Sequence, residues 1–134
     1  MIYDCAIIGG GPAGLNAALV LGRSRRKTLL FDDDNGRNLV TRKSHGFITR
    51  DGIEPEELKR LGRKDIAEYG CVEIKEQRIA SVNRISKTHY ELVTEDGDVF
   101  HSIKIIIAAG LKEEQPNIPG IEKFYGQFIQ LPIL

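Results

Sequence analysis

A glycine-rich segment near the start of the chain carries the clearest chemical signal. Its sequence is Gly9-Gly10-Gly11-Pro12-Ala13-Gly14, and it fits the pattern GxGxxG through its first, third and sixth residues. In that pattern the first glycine makes a tight turn and the second lets the backbone approach a pyrophosphate. The third lets a helix pack closely on a strand. Since the free amides of a helix N-terminus attract anions, the segment predicts a phosphate site.

An acidic residue stands where this kind of site needs one. Asp32 follows Gly14 by 18 residues, and a carboxylate there accepts hydrogen bonds from ribose hydroxyls but repels a 2′-phosphate. Asp32 therefore favours FAD or NAD over NADP. Asp33 is included among the candidate cofactor contacts, although a solvated loop also explains its charge. The competing interpretation is a tight glycine turn that binds no ligand.

The elements around these residues form a βαβ unit. Tyr3–Ile8 is a short apolar run typical of a buried strand. Pro12 begins a predicted helix that Gly22 ends. Lys27–Phe31 is predicted to be a second strand, and the helical crossover makes the two strands parallel. Asp32 then lies at the end of the second strand.

The rest of the chain completes one α/β domain. The predicted elements are a long excursion over Asp32–Gly52, a helix over Glu54–Gly70, strands over Val72–Val82, Tyr90–Thr94, Val99–Ser102 and Ile103–Ala109, and a linker over 111–134 that ends in the apolar tail Phe128–Leu134. The fold class is therefore α/β and Rossmann-like, with a parallel sheet flanked by helices and a small antiparallel β-meander. A single domain over 1–134 is expected.

Composition excludes several classes of function. Nineteen Lys and Arg balance nineteen Asp and Glu, so no net field attracts nucleic acid or an anionic membrane. No charged segment precedes the first strand, and no apolar run approaches the roughly 20 residues of a membrane span. We therefore expect a cytoplasmic protein that binds neither nucleic acid nor membrane. The two cysteines, Cys5 and Cys71, lack metal-ligand spacing, so no metal site is expected.

At this point the sequence resembles the FAD domain of the thioredoxin reductase-like flavoproteins, within the pyridine nucleotide-disulfide oxidoreductases. The strand Ile105–Gly110 resembles the second FAD signature of that family, and the linker Ile118-Pro119-Gly120 follows as it does there. The resemblance implies FAD as the cofactor and Ala108, Ala109 and Gly110 as contacts. Ala109 replaces the usual threonine of the signature, which removes one hydroxyl contact.

A second likeness lies in the excursion. Arg37-Asn38 and the segment from Ser44 to Gly52 resemble a branch of thioredoxin reductase-like proteins that includes dithiol oxidases and bacterial reductases. The resemblance implies that Arg37 and Asn38 contact the cofactor. It places His45 in loop packing or beside the cofactor rather than as a catalytic base. By the same likeness, the backbone of Ile79 meets the adenine edge.

What complete relatives add is not found in this sequence. The resemblance implies an FAD-dependent NAD(P)H disulfide oxidoreductase with an NADPH domain and a Cys-Pro-Tyr-Cys-Asp motif. We therefore expect a fold incomplete relative to the family and no complete reductase activity. Codons for Gln130–Leu134 can be chosen so that the +1 frame encodes Asn-Cys-Pro-Tyr-Cys, which permits a frameshift hypothesis; a deliberately expressed piece is the alternative.

Three hypotheses of function remain open. The leading one is an FAD-binding domain; the others are an NAD-binding or regulatory module and a structural remnant without ligand. Because a last strand is missing, an open apolar sheet is expected. We predict that Phe128–Leu134, a second copy in a homodimer or a companion chain covers it.

Overall fold

The computed structural model describes residues 1–35, 42–112 and 114–125. The helices and strands in chain order are β1 (Tyr3–Ile8), α1 (Pro12–Arg23), β2 (Thr28–Phe31), α2 (Pro55–Ala67), β3 (Val72–Lys75), β4 (Ile79–Ser86), β5 (His89–Thr94) and β6 (Val99–Ile107). A short 3₁₀ turn, Ile121–Lys123, lies in the linker. Within these ranges no helix combines the length and apolar character that a membrane crossing requires.

The strands form one mixed sheet in the order β3-β2-β1-β6-β5-β4. β3, β2, β1 and β6 are parallel neighbours, whereas β5 and β4 continue the sheet as an antiparallel meander. Ile7 of β1 pairs with Leu30 of β2 on one side and with Ile106 of β6 on the other. The predicted α/β Rossmann-like class, with its parallel sheet and β-meander, is confirmed.

Two buried apolar clusters hold the layers together. The cluster that packs the helices against the sheet consists of Cys5, Ile7, Leu15, Ala18, Leu30 and Ile66. The cluster that packs the meander against the parallel strands β1 and β2, here called the meander cluster, consists of Tyr3, Ala6, Leu29, Phe31 and Leu92. The rings of Phe31 and Phe100 meet edge to face, with their centroids 5.2 Å apart. Since apolar burial is the main stabilising force, these clusters fix the ends of β1 and β2.

Two strand predictions were wrong in their boundaries. The predicted strand Val72–Val82 is two strands, β3 and β4, which lie at opposite edges of the sheet. β3 ends at Lys75 because its neighbour β2 ends at Phe31, the partner of Lys75. The predicted strands Val99–Ser102 and Ile103–Ala109 are the single strand β6. It has two kinds of neighbour, since Ser102 pairs with both Tyr90 of β5 and Tyr3 of β1.

The excursion after β2 is described only in part. Its described residues include one isolated bridge, between Ser44 and Ile53. The predicted tail Phe128–Leu134 lies outside the described residues. At the end of β6, Ile107 is 77% exposed and Leu111 is 71% exposed. The cover proposed for an apolar surface here stays a prediction.

Candidate functional site

The glycine turn lies where three parallel strands end together. Gly9 directly follows β1, and its amide donates to the carbonyl of Phe31 at the end of β2, with N and O 2.8 Å apart. On the other side, the amide of Ala108 donates to the carbonyl of Ile8 at 2.7 Å. Gly9 has φ +113°, a conformation that favours glycine. The turn is therefore tied to both neighbouring strands.

Gly9 and Gly14 lie where the backbone packs too closely to leave space for a side chain. A Cβ on Gly9 would overlap the carbonyl of Ala108, and a Cβ on Gly14 would overlap the carbonyl oxygen of Gly9. Gly14 is buried in the first turn of α1. These contacts confirm the close approach of helix and strand that the spacing predicted. They are structural requirements, whatever the turn binds.

Gly10 brings the turn and the acidic residue together. A Cβ on Gly10 would overlap the Asp32 side chain, including its Cγ and Oδ2 atoms. The carboxylate therefore lies directly beside the turn, although Asp32 follows Gly10 by 22 residues in the sequence. This juxtaposition is what the GxGxxG spacing and the downstream acid together predicted.

Gly11 and the start of α1 present a different surface. A Cβ on Gly11 would meet no described protein atom within 4 Å. Gly11 is the N-cap of α1, no side chain caps the helix, and Pro12 occupies its first position. The first turn contains no acidic residue, so the positive end of the helix dipole is not neutralised from within the turn. A space open to a ligand thus adjoins amides suited to a phosphate, with Ala13 in the same turn.

Asp32 is a buried carboxylate held by two cations of α2. Its side chain is 4% exposed, and its Oδ2 atom lies 2.7 Å from Lys59 Nζ and 2.7 Å from an Arg63 guanidinium nitrogen. Its Oδ1 atom accepts the amide of Asp34 at 2.9 Å. Two further acids complete the network, because Lys59 also pairs with Asp34 and Arg63 also pairs with Glu76.

These contacts determine the protonation states of Asp32 and Lys59. Burial raises the pKa of Asp32, but hydrogen bonds from Lys59, the Asp34 amide and Arg63 outweigh it, so the pKa is lower than the ordinary value. Burial likewise lowers the pKa of Lys59, and its bonds to Asp32 and Asp34 raise that pKa by more. Asp32 is therefore an anion, and Lys59 a cation, across the neutral range.

A charged cavity adjoins this network. It has a volume of about 430 Å³. Its lining consists of Asp32, Asp33, Asp34, Glu56, Lys59, Arg60, Arg63 and Glu76. Five acids and three bases leave it net negative, so it is poorly suited to a second phosphate close to Asp32. It lies between the end of β2 and α2, and the glycine turn does not contribute to its lining.

We expect the Asp32→Asn variant to be less stable than the wild type by about 3 kcal/mol at neutral pH, because two partly buried cations lose the buried one of their two anionic partners. The folded pKa of Asp32 lies below its unfolded value. Its contribution is therefore present above about pH 4 and disappears as the pH falls through the folded pKa. The free energies of unfolding of the wild type and the variant should therefore converge at acid pH. Urea unfolding at several pH values measures this difference.

Asp33→Asn is the matched control for that prediction. Asp33 is the next residue, but its side chain is 37% exposed and its Oδ2 lies 3.7 Å from Arg78 Nε. Exposed ion pairs contribute about 1 kcal/mol or less. An equal loss of stability in both variants would contradict the assignment of Asp32 as the buried anchor.

The other predicted contacts lie around the same edge or beyond it. Ala108 is half-buried against the helix-side cluster, while Ala109 and Gly110 are exposed. Gly110 has φ +71°. Ile79 begins β4 and packs against the meander cluster. The contact between Arg78 and Asp33 brings the start of β4 beside the end of β2. A cofactor role for these residues stays a prediction.

His45 belongs to a local loop structure. Its Nδ1 atom lies 3.3 Å from Asp51 Oδ1, which also accepts the amide of Gly46 at 2.8 Å. Both side chains of the pair are about two-thirds exposed. These contacts lie within the loop itself, and the predicted place of His45 beside the cofactor stays a prediction. Arg37 and Asn38 lie outside the described residues.

Sequence reasoning did not identify Lys59 and Arg63. They are four positions apart on α2, and residues at this spacing share one face of a helix. The i, i+4 spacing of these two basic residues was the feature of the sequence that could have identified them. It became meaningful only when folding placed this face of α2 over the end of β2.

A glycine turn between a parallel strand and a helix, with a carboxylate at the end of the next strand, defines a Rossmann-type dinucleotide-binding domain. The model of the pyridine nucleotide-disulphide oxidoreductase family matches residues 3–131 of this chain. The chain belongs to that family.

Individual relatives carry related names. Thioredoxin reductase aclD of Aspergillus oryzae is 35% identical over 121 residues, which cover 89% of this chain and 38% of that protein. The crystal structure of TrxB from Bacillus anthracis is 46% identical with a TM-score of 0.89, and the match covers 93% of this chain and 42% of that one. An oxidoreductase from Agrobacterium tumefaciens is 35% identical with a TM-score of 0.90, covering 95% of this chain and 43% of that one. The chain thus spans about two-fifths of these relatives' length.

Proposed function

We propose that this chain is an FAD-binding domain of a thioredoxin reductase-like oxidoreductase, with residues 1–110 forming the binding unit and 111–134 a linker and tail. One observation carries the proposal. The glycine turn contacts Asp32 at Gly10 and leaves open space at Gly11. A phosphate-binding helix terminus and a ribose-binding carboxylate are therefore adjacent, as the ADP half of FAD requires.

The residues fit the cofactor in chemical type. The amides that follow Gly11 would hold the pyrophosphate, and Asp32 would hold the adenosine ribose. Ala109 carries no hydroxyl, so this segment would contribute backbone groups alone. FAD supplies two-electron transfer when bound, and the protein's task is to bind and orient it.

The cysteines of this chain are not arranged as a redox pair. Cys5 lies in β1 and Cys71 directly precedes β3, with β2 between them. Two strand spacings separate them by about 10 Å, which exceeds disulfide geometry. Burial, and secondarily the charge of Asp4, raises the pKa of the Cys5 thiol, which disfavours the reactive thiolate. We therefore assign the residues described here to cofactor binding rather than to thiol exchange.

The test is a ligand titration of the purified chain. We expect FAD to bind with quenched flavin fluorescence, ADP to compete with it, and FMN, which lacks the adenosine half, to bind far more weakly. Mass analysis of the purified protein identifies any retained nucleotide. Equal binding of FAD and FMN, or no binding of FAD by a folded chain, would overturn the proposal.

An NAD-binding module is the second candidate. It is favoured by Asp32, because a carboxylate at this position accepts the adenosine ribose of NAD equally well. The same titration with NAD separates the two candidates. Tighter binding of NAD than of FAD would support the second.

A further inference from the structure

Two cations of α2 contact the proposed ribose-binding carboxylate from outside the βαβ unit. Lys59 and Arg63 both contact Oδ2 of Asp32 at 2.7 Å. Their side chains are 23% and 31% exposed, so neither is an ordinary solvated surface charge. Helix α2 also packs against α1 through the helix-side cluster, in which Ile66 is 2% exposed. The positions of the two cations are therefore fixed by the packing of α2 in the core and not by the loop that follows β2.

The two cations occupy one carboxylate oxygen of Asp32, Oδ2, and leave the other, Oδ1, able to accept a further hydrogen bond. Each carboxylate oxygen has two acceptor positions. Within the described residues, Lys59 and Arg63 use both positions on Oδ2, and the Asp34 amide uses one on Oδ1. The remaining position on Oδ1 can accept a hydroxyl group. A charged acceptor of this kind binds about twice as strongly as a neutral one.

We propose that Lys59 and Arg63 are positioning residues for nucleotide recognition, which act by keeping Asp32 ionised and its Oδ1 atom directed to the ribose hydroxyl. The inference rests on the proposed binding of FAD and deepens it. Neither cation is required to contact the flavin. Their effect reaches the ligand through Asp32.

The surroundings show why the cations are needed. Asp32 is 3% exposed, and a buried carboxylate without a partner takes up a proton. The other charged groups near it from each packed element are Asp33 and Asp34 after β2, Glu56 and Arg60 on α2, and Glu76 and Arg78 between β3 and β4. Most of these are acids, which favour protonation of Asp32. Among the residues that the structure describes, Lys59 and Arg63 are the two cations whose nitrogens reach the carboxylate.

The test is the pH dependence of FAD affinity in the K59Q/R63Q variant. Glutamine removes both charges but keeps N–H donors, so the site loses charge compensation more than hydrogen bonding. We expect the wild type to change by less than about twofold between pH 8 and pH 5.5, whereas the variant should lose about tenfold as Asp32 becomes protonated. Fluorescence titration with FAD measures affinity, and circular dichroism at each pH checks the fold.

Two further variants separate positioning from general stability. K64Q removes an exposed charge from the same helix and should follow the wild-type profile. K59R/R63K keeps both charges and should restore a flat profile. If K59Q/R63Q does not fold, the single variants K59Q and R63Q should each give an intermediate slope. Parallel profiles for the charge-removing variants and the wild type would overturn this inference alone. Absence of FAD binding by the folded wild type at every pH would overturn the proposed function as well.

Discussion

Replacing Gly11 with alanine should leave the chain folded and lower its affinity for FAD by about 100-fold, equivalent to about 2.7 kcal/mol. The added methyl group meets no described protein atom within 4 Å, so the protein itself has room for it. Gly11 caps α1 in an extended conformation that alanine also adopts. The methyl group would instead occupy the space through which a pyrophosphate approaches the backbone. Fluorescence titration with FAD measures the loss.

Gly70→Ala is the matched control for this experiment. A Cβ on Gly70 also meets nothing within 4 Å, but Gly70 lies after α2 and away from the glycine turn. This variant should bind FAD as the wild type does. If Gly11→Ala also binds normally while both variants are folded, the pyrophosphate does not lie at Gly11 and the proposed site is wrong.

Replacing Gly14 with alanine should instead destabilise the fold by about 3 kcal/mol or more. The new methyl group would overlap the carbonyl oxygen of Gly9, which is backbone and cannot move aside without disturbing the turn. Alanine favours a helix over glycine by about 1 kcal/mol, so the steric cost must exceed that gain. Urea or thermal unfolding, followed by circular dichroism, measures the difference.

Gly62→Ala tests whether the effect of Gly14 is specific. Gly62 is also a helical glycine, but its Cβ would lie 3.2 Å from Leu15 Cδ1, the flexible end of a side chain. We expect a change within about 1 kcal/mol, because the gain in helix propensity offsets the tighter contact. A larger loss from Gly62→Ala than from Gly14→Ala would contradict the steric explanation.

The sequence was most informative where chemistry and conformation are local. The glycine turn, α1 and the position of Asp32 at the end of β2 were predicted correctly because a few neighbouring residues determine them. The boundaries of β3, β4 and β6 were not, since a strand ends where its partner ends. Lys75 stops pairing because Phe31 is the last residue of β2. No property of the residues from Val72 to Val82 alone encodes that limit.

The site shows the same division between local and long-range information. The spacing of Asp32 to Gly14 was sufficient to predict that Asp32 lies beside the glycine turn and to propose that it binds the ribose. The ion pairs with Lys59 and Arg63 depend on the docking of α2, which is a property of the assembled core. A basic pair with i, i+4 spacing is common on solvated helices, so only the tertiary arrangement distinguishes this pair from a surface charge.

The double pairing of β6 constrains how the family can vary in length. This continuous strand pairs with β5 at its N-terminal end and with β1 along the rest of its length. A single inserted residue within it would invert the alternation of side chains on one of the two halves. The hairpin turn between Ser86 and His89 is not constrained by pairing with two different strands. Among homologues, insertions and deletions should therefore accumulate at that tip, while the span from Val99 to Ile107 keeps a constant length.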